Sequence, residues 1–131
     1  MFRECSSLTS VIIPDSVTAI GNNAFQHSGL TSIVIPNSVT TIGNSAFAIS
    51  KLISITISSS VTSIGNGIFS YCGRLESIVV ENGNSKYDSR DNCNAIIETA
   101  TNKLLYGCKN TIIPNLVTAI GRYAFTGQFL T

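Results

Sequence analysis

Residues 30–47 read LTSIVIPNSVTTIGNSAF, and residues 8–25 read LTSVIIPDSVTAIGNNAF. The two stretches are identical at 13 of 18 positions, and four of the five differences are close swaps such as Val for Ile and Asn for Asp. The first stretch contains no charged side chain. A phrase repeated this closely within one short chain predicts a repeated structural unit.

The same pattern recurs further along the chain, and three successive copies are spaced by 22 residues. A third copy, LISITISSSVTSIGNGIF, occupies residues 52–69, a fourth, IIPNLVTAIGRYAF, occupies residues 112–125, and Met1-Phe2 matches the end of an earlier copy. Phe25, Phe47 and Phe69 mark the step of 22 residues. A period in the twenties is typical of solenoids, in which each unit buries its apolar face only against its neighbours. Repetition therefore predicts packing and says nothing yet about chemistry.

Composition narrows the classes of function. The chain has 131 residues, of which 11% are charged, with a net charge of +1, and this balance gives no electrostatic case for binding nucleic acid or an anionic membrane. No apolar run approaches the roughly 20 residues of a membrane-spanning helix, and no secretory signal peptide is recognisable. Because the chain starts and stops inside repeats, we expect residues 1–131 to be one domain cut from something longer.

One repeat is predicted to contain two short strands and a helical turn. In residues 30–36, alternating large apolar residues favour a strand that Pro36 ends, because proline lacks a backbone donor. A second extended piece follows over residues 39–42. Gly43 suits a corner that needs positive φ or a close backbone approach, and Asn44 could cap a helical turn that leads to the buried Phe47. Stacked Ser and Thr positions favour a solvated sheet surface, with a sugar- or ice-binding face as the alternative.

Residues 81–110 interrupt the repeats and hold most of the charge. Residues 95–98 and 103–106 favour two strands of a β-hairpin with a four-residue loop. In that register Glu98 faces Lys103 and Cys93 faces Cys108. Opposed residues lie within disulfide range, so a Cys93–Cys108 bridge is possible, and two free thiols are the alternative. Cys5 and Cys72 lie three repeats apart, roughly 14 Å by strand spacing. This distance is too long for a disulfide, so we predict two buried free thiols there.

The insertion also holds the candidate binding residues. Tyr and Arg are enriched at binding hot spots, and this segment concentrates Tyr87, Arg90, Tyr106 and Lys109. Polar residues that simply meet water are the alternative. The cluster of Asp and Asn residues at 88–94 does not have the spacing of a calcium loop, so turn chemistry is the better interpretation.

The sequence lacks the elements of a catalytic site. His27 is the one histidine, and no acid stands at a matching repeat position to complete a triad. There is no C-x-x-C zinc pair and no phosphate-binding glycine loop. We therefore expect no enzyme activity, no metal and no cofactor.

The phrase L-x-x-I-x-I-P-x-S-V-T-x-I-G-x-x-A-F resembles the BspA-like class of leucine-rich repeats over residues 2–80 and 111–131. The resemblance implies a right-handed leucine-rich-repeat solenoid of mainly short parallel strands with short helical turns, here with one hairpin insertion. It also implies a bacterial or protist surface or secreted protein. The implied activity is non-catalytic adhesion to a protein or glycoprotein of a host or cell surface; a structural spacer or stalk is the alternative. Uncapped ends further predict end-to-end self-association.

Overall fold

The repeats form two parallel ladders of short strands. The structure is a computed structural model, and it describes residues 7–128. Its elements in chain order are β1 (Ala19–Ile20), β2 (Ser32–Val34), β3 (Thr41–Ile42), β4 (Ser54–Ile57), β5 (Ser63–Ile64), β6 (Ser77–Val80), β7 (Tyr87–Asp88), a 3-10 helix (Arg90–Asn92), β8 (Ala95–Glu98), β9 (Lys103–Gly107) and β10 (Ala119–Ile120). The first sheet has the order β2-β4-β6, and the second has the order β1-β3-β5.

The register of the first sheet follows the sequence period. Ile33 pairs with Ile55, and Ile55 pairs with Ile78, all in parallel. These three side chains are buried, whereas Val34, one position later, is 74% exposed. Since side chains alternate between the two faces of a strand, one face of the sheet packs on the core and the other meets solvent. The strand assigned to residues 30–36 is thereby confirmed, although it is shorter.

The corners of the repeat are also as predicted. Val39 N–H donates to Pro36 O at 3.1 Å, which closes a turn directly after the first strand. Gly43 does not have positive φ. Instead, an added Cβ would lie 2.6 Å from Asn22 N and 2.8 Å from Gly21 C of the preceding repeat. Of the two reasons offered for a glycine here, the close approach between backbones is therefore the correct one.

The segment after the glycine is a series of turns. No α-helix occurs in residues 7–128, so the short helical turns expected from the sequence are not found there. Amides alternate along this segment: Ala24 N–H bonds back to Gly21 O, whereas Phe25 N–H bonds across to Ala46 O of the next repeat. Asn44 does not cap a helix, because its Oδ1 accepts the amide of Asn66 in the next repeat at 2.8 Å.

A column of aromatic rings runs through the core. Phe25 stacks on Phe47 at 5.6 Å between ring centroids, and Phe47 on Phe69 at 6.2 Å, as the 22-residue period predicts. Tyr106 of the insertion continues the column, edge-on to Phe69. Cys72 is buried beside this column, with Sγ 3.0 Å from Phe47 O. The expectations for Phe2 and Cys5 concern positions outside the described residues.

The insertion folds as a small sheet of order β10-β9-β8-β7. The predicted pairs Glu98–Lys103 and Ile97–Leu104 are present. Beyond them a β-bulge shifts the register, so that Ile96 pairs with Tyr106 and not with Leu105. β9 also pairs in parallel with β10 of the last repeat. The hairpin is therefore part of the stack, and residues 81–110 replace portions of a repeat as well as extending from it.

Candidate functional site

Two of the four predicted binding residues lie in the core. Tyr87 is 7% exposed and Tyr106 is 5% exposed. The Tyr106 hydroxyl donates to Gly65 O of the third repeat, and burial raises the pKa of both phenols. These rings are not available as surface contacts. They hold the insertion against the repeats. No sequence pattern indicates this contact, because the periodic spacing is lost after residue 80.

Arg90 and Lys109 reach the surface, but both are engaged within the chain. The Arg90 guanidinium contacts the Asp88 carboxylate twice, Nε–Oδ1 and NH2–Oδ2 at 2.7 Å each, and its NH1 donates to Asn102 Oδ1 at 2.7 Å. Lys109 Nζ lies 2.9 Å from Glu76 Oε1. Arg90 and Lys109 thus have separate partners, whereas Tyr87 and Tyr106 lie in one buried cluster.

The two cysteines of the insertion are free thiols in the structure. The β-bulge removes the directly opposed register that would make a Cys93–Cys108 bridge possible. Cys108 Sγ lies 3.5 Å from Asn94 O, and burial raises the pKa of both the Cys93 and the Cys108 thiol. Buried thiols with raised pKa react slowly, so their role in the structure is packing.

The outer face of the first sheet is a flat surface of hydroxyls and aliphatic groups, which we call the exposed sheet face. Val34 in β2 and Val79 in β6 lie on it with 74% and 44% exposure, and Thr56 lies between them. A parallel row of hydroxyls runs beside them, from Ser32, Ser54 and Ser77. Backbone pairing fixes these side chains, so the surface is formed before any ligand arrives.

A cleft of about 520 Å³ lies where the first sheet meets the insertion, and we call it the insert cleft. Val79 and Val80 of β6 form its floor. One wall comes from the corners that follow the strands, with Asn37, Ser59 and Asn82 at equivalent repeat positions. The opposite wall is the segment around the 3-10 helix, with Asn92 and Asn94. The repeat position of Asn37 was visible in the sequence, but the facing wall was not.

Neither surface has the features of a catalytic or metal centre. Within residues 7–128, no group of three or more His, Cys, Asp or Glu side chains is close enough to hold a metal ion. His27 is exposed at a left-handed turn with φ of 59°. In the same range, no helix has the length and hydropathy to cross a bilayer. The arrangement offers hydrogen bonds and apolar contact, which serve binding.

The chain is similar in structure to leucine-rich repeat proteins from bacteria. A leucine-rich repeat protein from Eubacterium ventriosum shares 25% identity and a TM-score of 0.78, over 96% of this chain and 41% of that one. A leucine rich cell surface protein from Faecalibacterium prausnitzii is 29% identical, with a TM-score of 0.80. The match covers 99% of this chain and 36% of that protein. The pneumococcal vaccine antigen PcpA is similar in fold, with 24% identity and a TM-score of 0.60. The match covers 83% of this chain and 34% of PcpA. This chain therefore spans about two fifths of the length of these proteins or less.

Sequence comparison gives the same assignment. No curated protein matches the chain significantly. The family profile described as "BspA type Leucine rich repeat region (6 copies)" matches residues 1–97, which is more than half of the chain and includes the first part of the insertion. The chain belongs to the BspA-type leucine-rich repeat family.

Proposed function

We propose that this chain is a non-catalytic interaction module of a cell-surface or secreted protein, and that it binds a protein or glycoprotein of a host or neighbouring cell. One observation carries the proposal: the exposed sheet face presents Val34 and Val79 to solvent on a ladder that pairing keeps rigid. A rigid surface loses little conformational freedom on binding. Exposed apolar side chains grouped on one face are typical of interaction sites.

The similar cell-surface proteins support the location proposed here. The ladders of β1-β3-β5 and β2-β4-β6 fit a right-handed solenoid, and we propose that handedness for the whole repeat array. In such an array the first sheet offers a continuous face along the stack, so a partner can contact several repeats at once. The insertion interrupts this face at one end and limits where the partner can lie.

Binding to purified matrix glycoproteins and to whole cells tests the proposal. The double variant Val34→Arg/Thr56→Arg places two large charged groups on the exposed sheet face, where both side chains point outward. We expect binding to fall by at least about tenfold, the loss typical of a disrupted interface centre. Ser63→Arg on β5 of the second sheet is the matched control and should bind as the native chain does.

Circular dichroism and thermal unfolding should show that every protein compared is folded. Equal binding by the double variant and the native chain would move the interaction away from the exposed sheet face. Absence of binding by the folded native chain, across matrix proteins and cells, would favour the alternative role as a spacer that holds another domain away from the cell.

A further inference from the structure

The insert cleft has polar walls that the fold itself does not use. Asn37, Asn82, Asn92 and Asn94 line it, and none of their side-chain amides hydrogen-bonds to another residue in the described range 7–128. Other asparagines are engaged. Asn44 Oδ1 accepts an amide of the next repeat, and Asn84 Nδ2 donates to Ser58 O and Val61 O. Four amides with free donors and acceptors therefore face one cavity.

The backbone of the wall formed by the insertion is held in place by its neighbours. Asp91, Asn92 and Asn94 have φ of 58°, 51° and 56°, in the left-handed region that non-glycine residues seldom occupy. The Arg90 contacts with Asp88 and Asn102 tie this segment to the hairpin. Ser89 Oγ accepts the Val80 amide at 2.9 Å and donates to Ala95 O at 2.6 Å, which ties it to β6 as well. Strained backbone that neighbouring contacts maintain is frequent at binding sites.

The charge of the cleft disfavours an anion. Glu81 lines it, with its carboxylate accepting the Ser59 amide at 3.1 Å. Asp91 lies on the adjoining side of the same segment. Among residues 7–128, no Lys or Arg lines the cleft, and the nearby Arg90 guanidinium already donates to Asp88 and Asn102. Sialic acid, sulfated glycans and phosphate would therefore meet carboxylates and no unpaired cation.

We propose that the insert cleft binds a neutral glycan. An amide both donates and accepts, as does a sugar hydroxyl, so neighbouring amides suit the paired hydroxyls of a pyranose ring. The aliphatic floor at Val79 suits the C–H face of that ring. A volume of about 520 Å³ lies within the range of small-ligand sites. Asn37, Ser59 and Asn82 recur at strand spacing, about 4.8 Å, which is comparable with the length of one sugar unit in an extended chain.

Titration of the ¹⁵N-labelled chain with soluble oligosaccharides tests the proposal by NMR. The probes are neutral oligosaccharides of N-acetylglucosamine, galactose, mannose and fucose, with sialyllactose and a heparin fragment as anionic comparators and a neutral Ser/Gly peptide as a polypeptide comparator. With at least one neutral probe, the side-chain amide signals of the four cleft asparagines should shift. Those of Asn22 and Asn44, whose side-chain oxygens bond neighbouring repeats, should stay in place.

Two variants and one matched control complete the test. Asn37→Ala/Asn82→Ala removes amides from the repeat wall, and Asn92→Asp removes a donor while keeping a residue that tolerates left-handed backbone. Each of these variants should bind the neutral oligosaccharide at least tenfold more weakly than the native chain does. Asn115→Ala is the control, because Asn115 occupies the repeat position of Asn37 in the last repeat but does not line the cleft. It should bind the probe as the native chain does.

Several results would overturn the proposal. One is the absence of any shift with every neutral probe, and another is a set of shifts confined to the exposed sheet face. Preferential binding of the anionic probes or the peptide would also overturn it, as would equal sugar binding by the native chain and by Asn37→Ala/Asn82→Ala. The inference can be tested apart from the proposed function, because neither Val34 nor Thr56 lines the cleft, although Val79, which pairs with Thr56, belongs to both surfaces. Loss of macromolecule binding in that variant with the sugar titration unchanged would separate the two sites.

Discussion

At several positions of this fold, the residue type is determined by contact with the adjacent repeat, 22 residues away. Gly43 is required because Asn22 and Gly21 of the preceding repeat occupy the space of a side chain, and Gly65 has the same relation to Asn44. Asn22 and Asn44 recur because each side-chain oxygen accepts the amide of the same position in the next repeat, at 2.8 Å. A glycine or asparagine conserved in position along the repeats therefore records contact between repeats.

Gly43→Ala should destabilise the chain by about 1–3 kcal/mol, the usual cost of inserting a methyl group into tightly packed surroundings. The contacts at risk are backbone atoms, which cannot move aside separately. Gly21→Ala is the matched control, because nothing lies within 4 Å of an added Cβ there. That substitution should be neutral or slightly stabilising. Chemical denaturation of the two variants gives the comparison, and equal midpoints would contradict the assigned role of Gly43.

At the scale of elements, the regular strands follow from the sequence and the insertion does not. The Ile33–Ile55–Ile78 register is implied by a 22- or 23-residue step and by alternation of apolar residues. The β-bulge at Leu105 and the burial of Tyr106 in the phenylalanine column have no local sign. They arise because β9 occupies a place in the stack beside β10, a contact between segments that single-strand patterns cannot reveal.

The burial of two predicted binding residues has the same cause. Tyr87 and Tyr106 belong to the residue types enriched at binding sites, and both are buried because the insertion supplies core where it replaces a repeat. Arg90 is a further predicted binding residue, and its guanidinium pairs with Asp88. By contrast, Asn37 belongs to a visible repeat position. Its importance depends on the facing wall of the insertion, which only the folded chain brings near.

The contact between Asp88 and Arg90 holds β7 and the 3-10 helix together and makes stability depend on pH. Burial raises the pKa of Asp88, but the hydrogen bonds from Arg90 and Thr99 outweigh it, so the pKa lies below its usual value. A lowered pKa in the folded state contributes stability above the unfolded pKa of about 4, and that stability is lost as the pH falls through the folded value. Asp88 thus stabilises the insertion at neutral pH.

Asp88→Asn should lower the free energy of unfolding at pH 7 by about 1–3 kcal/mol, as expected for loss of a charged hydrogen-bonding group. The difference from the native chain should begin to shrink as the pH falls below about 4, and it should be smallest below the lowered pKa of Asp88, where the folded native carboxylate is also protonated. Denaturation curves at several pH values give this comparison. Asp15→Asn, at an exposed corner, is the control. A difference for Asp88 that does not vary with pH would show that the charge is not what matters.

At the scale of the molecule, both ends of the described stack expose apolar residues of the repeat. Near one end, Val11, Ile13 and Val17 line an apolar depression of about 400 Å³. Near the other, Leu116, Ile113 and Ile120 are 70%, 50% and 47% exposed. Ile35 and Ile42, which occupy the repeat positions of Ile113 and Ile120, are only 3% and 1% exposed. The last described repeat therefore exposes positions that are covered elsewhere in the stack, so one end is complementary to the other. A contact of this kind joins unlike surfaces and can extend into a chain of molecules.

We expect this chain to self-associate end to end, with an apparent mass that rises with concentration in light scattering. Leu116→Ser should weaken the association, because it removes an exposed apolar group and serine already occupies that repeat position at Ser16, Ser38 and Ser60. Val34→Ser, which removes an equally exposed group from the exposed sheet face, is the control. A monomer at every concentration tested would refute the prediction.

The insertion is thicker on one side of the stack than on the other. Along the turn segments the third and last repeats are in direct contact, because Tyr71 N–H donates to Thr126 O at 3.0 Å across a gap of 55 positions. On the opposite side β9 stands between them, paired with β10 and anchored to Gly65 through Tyr106. The insertion therefore separates the third and last repeats on one side of the stack and not on the other. We expect the axis of the array to bend at this point, because one strand separates the two repeats on one side and none separates them on the other.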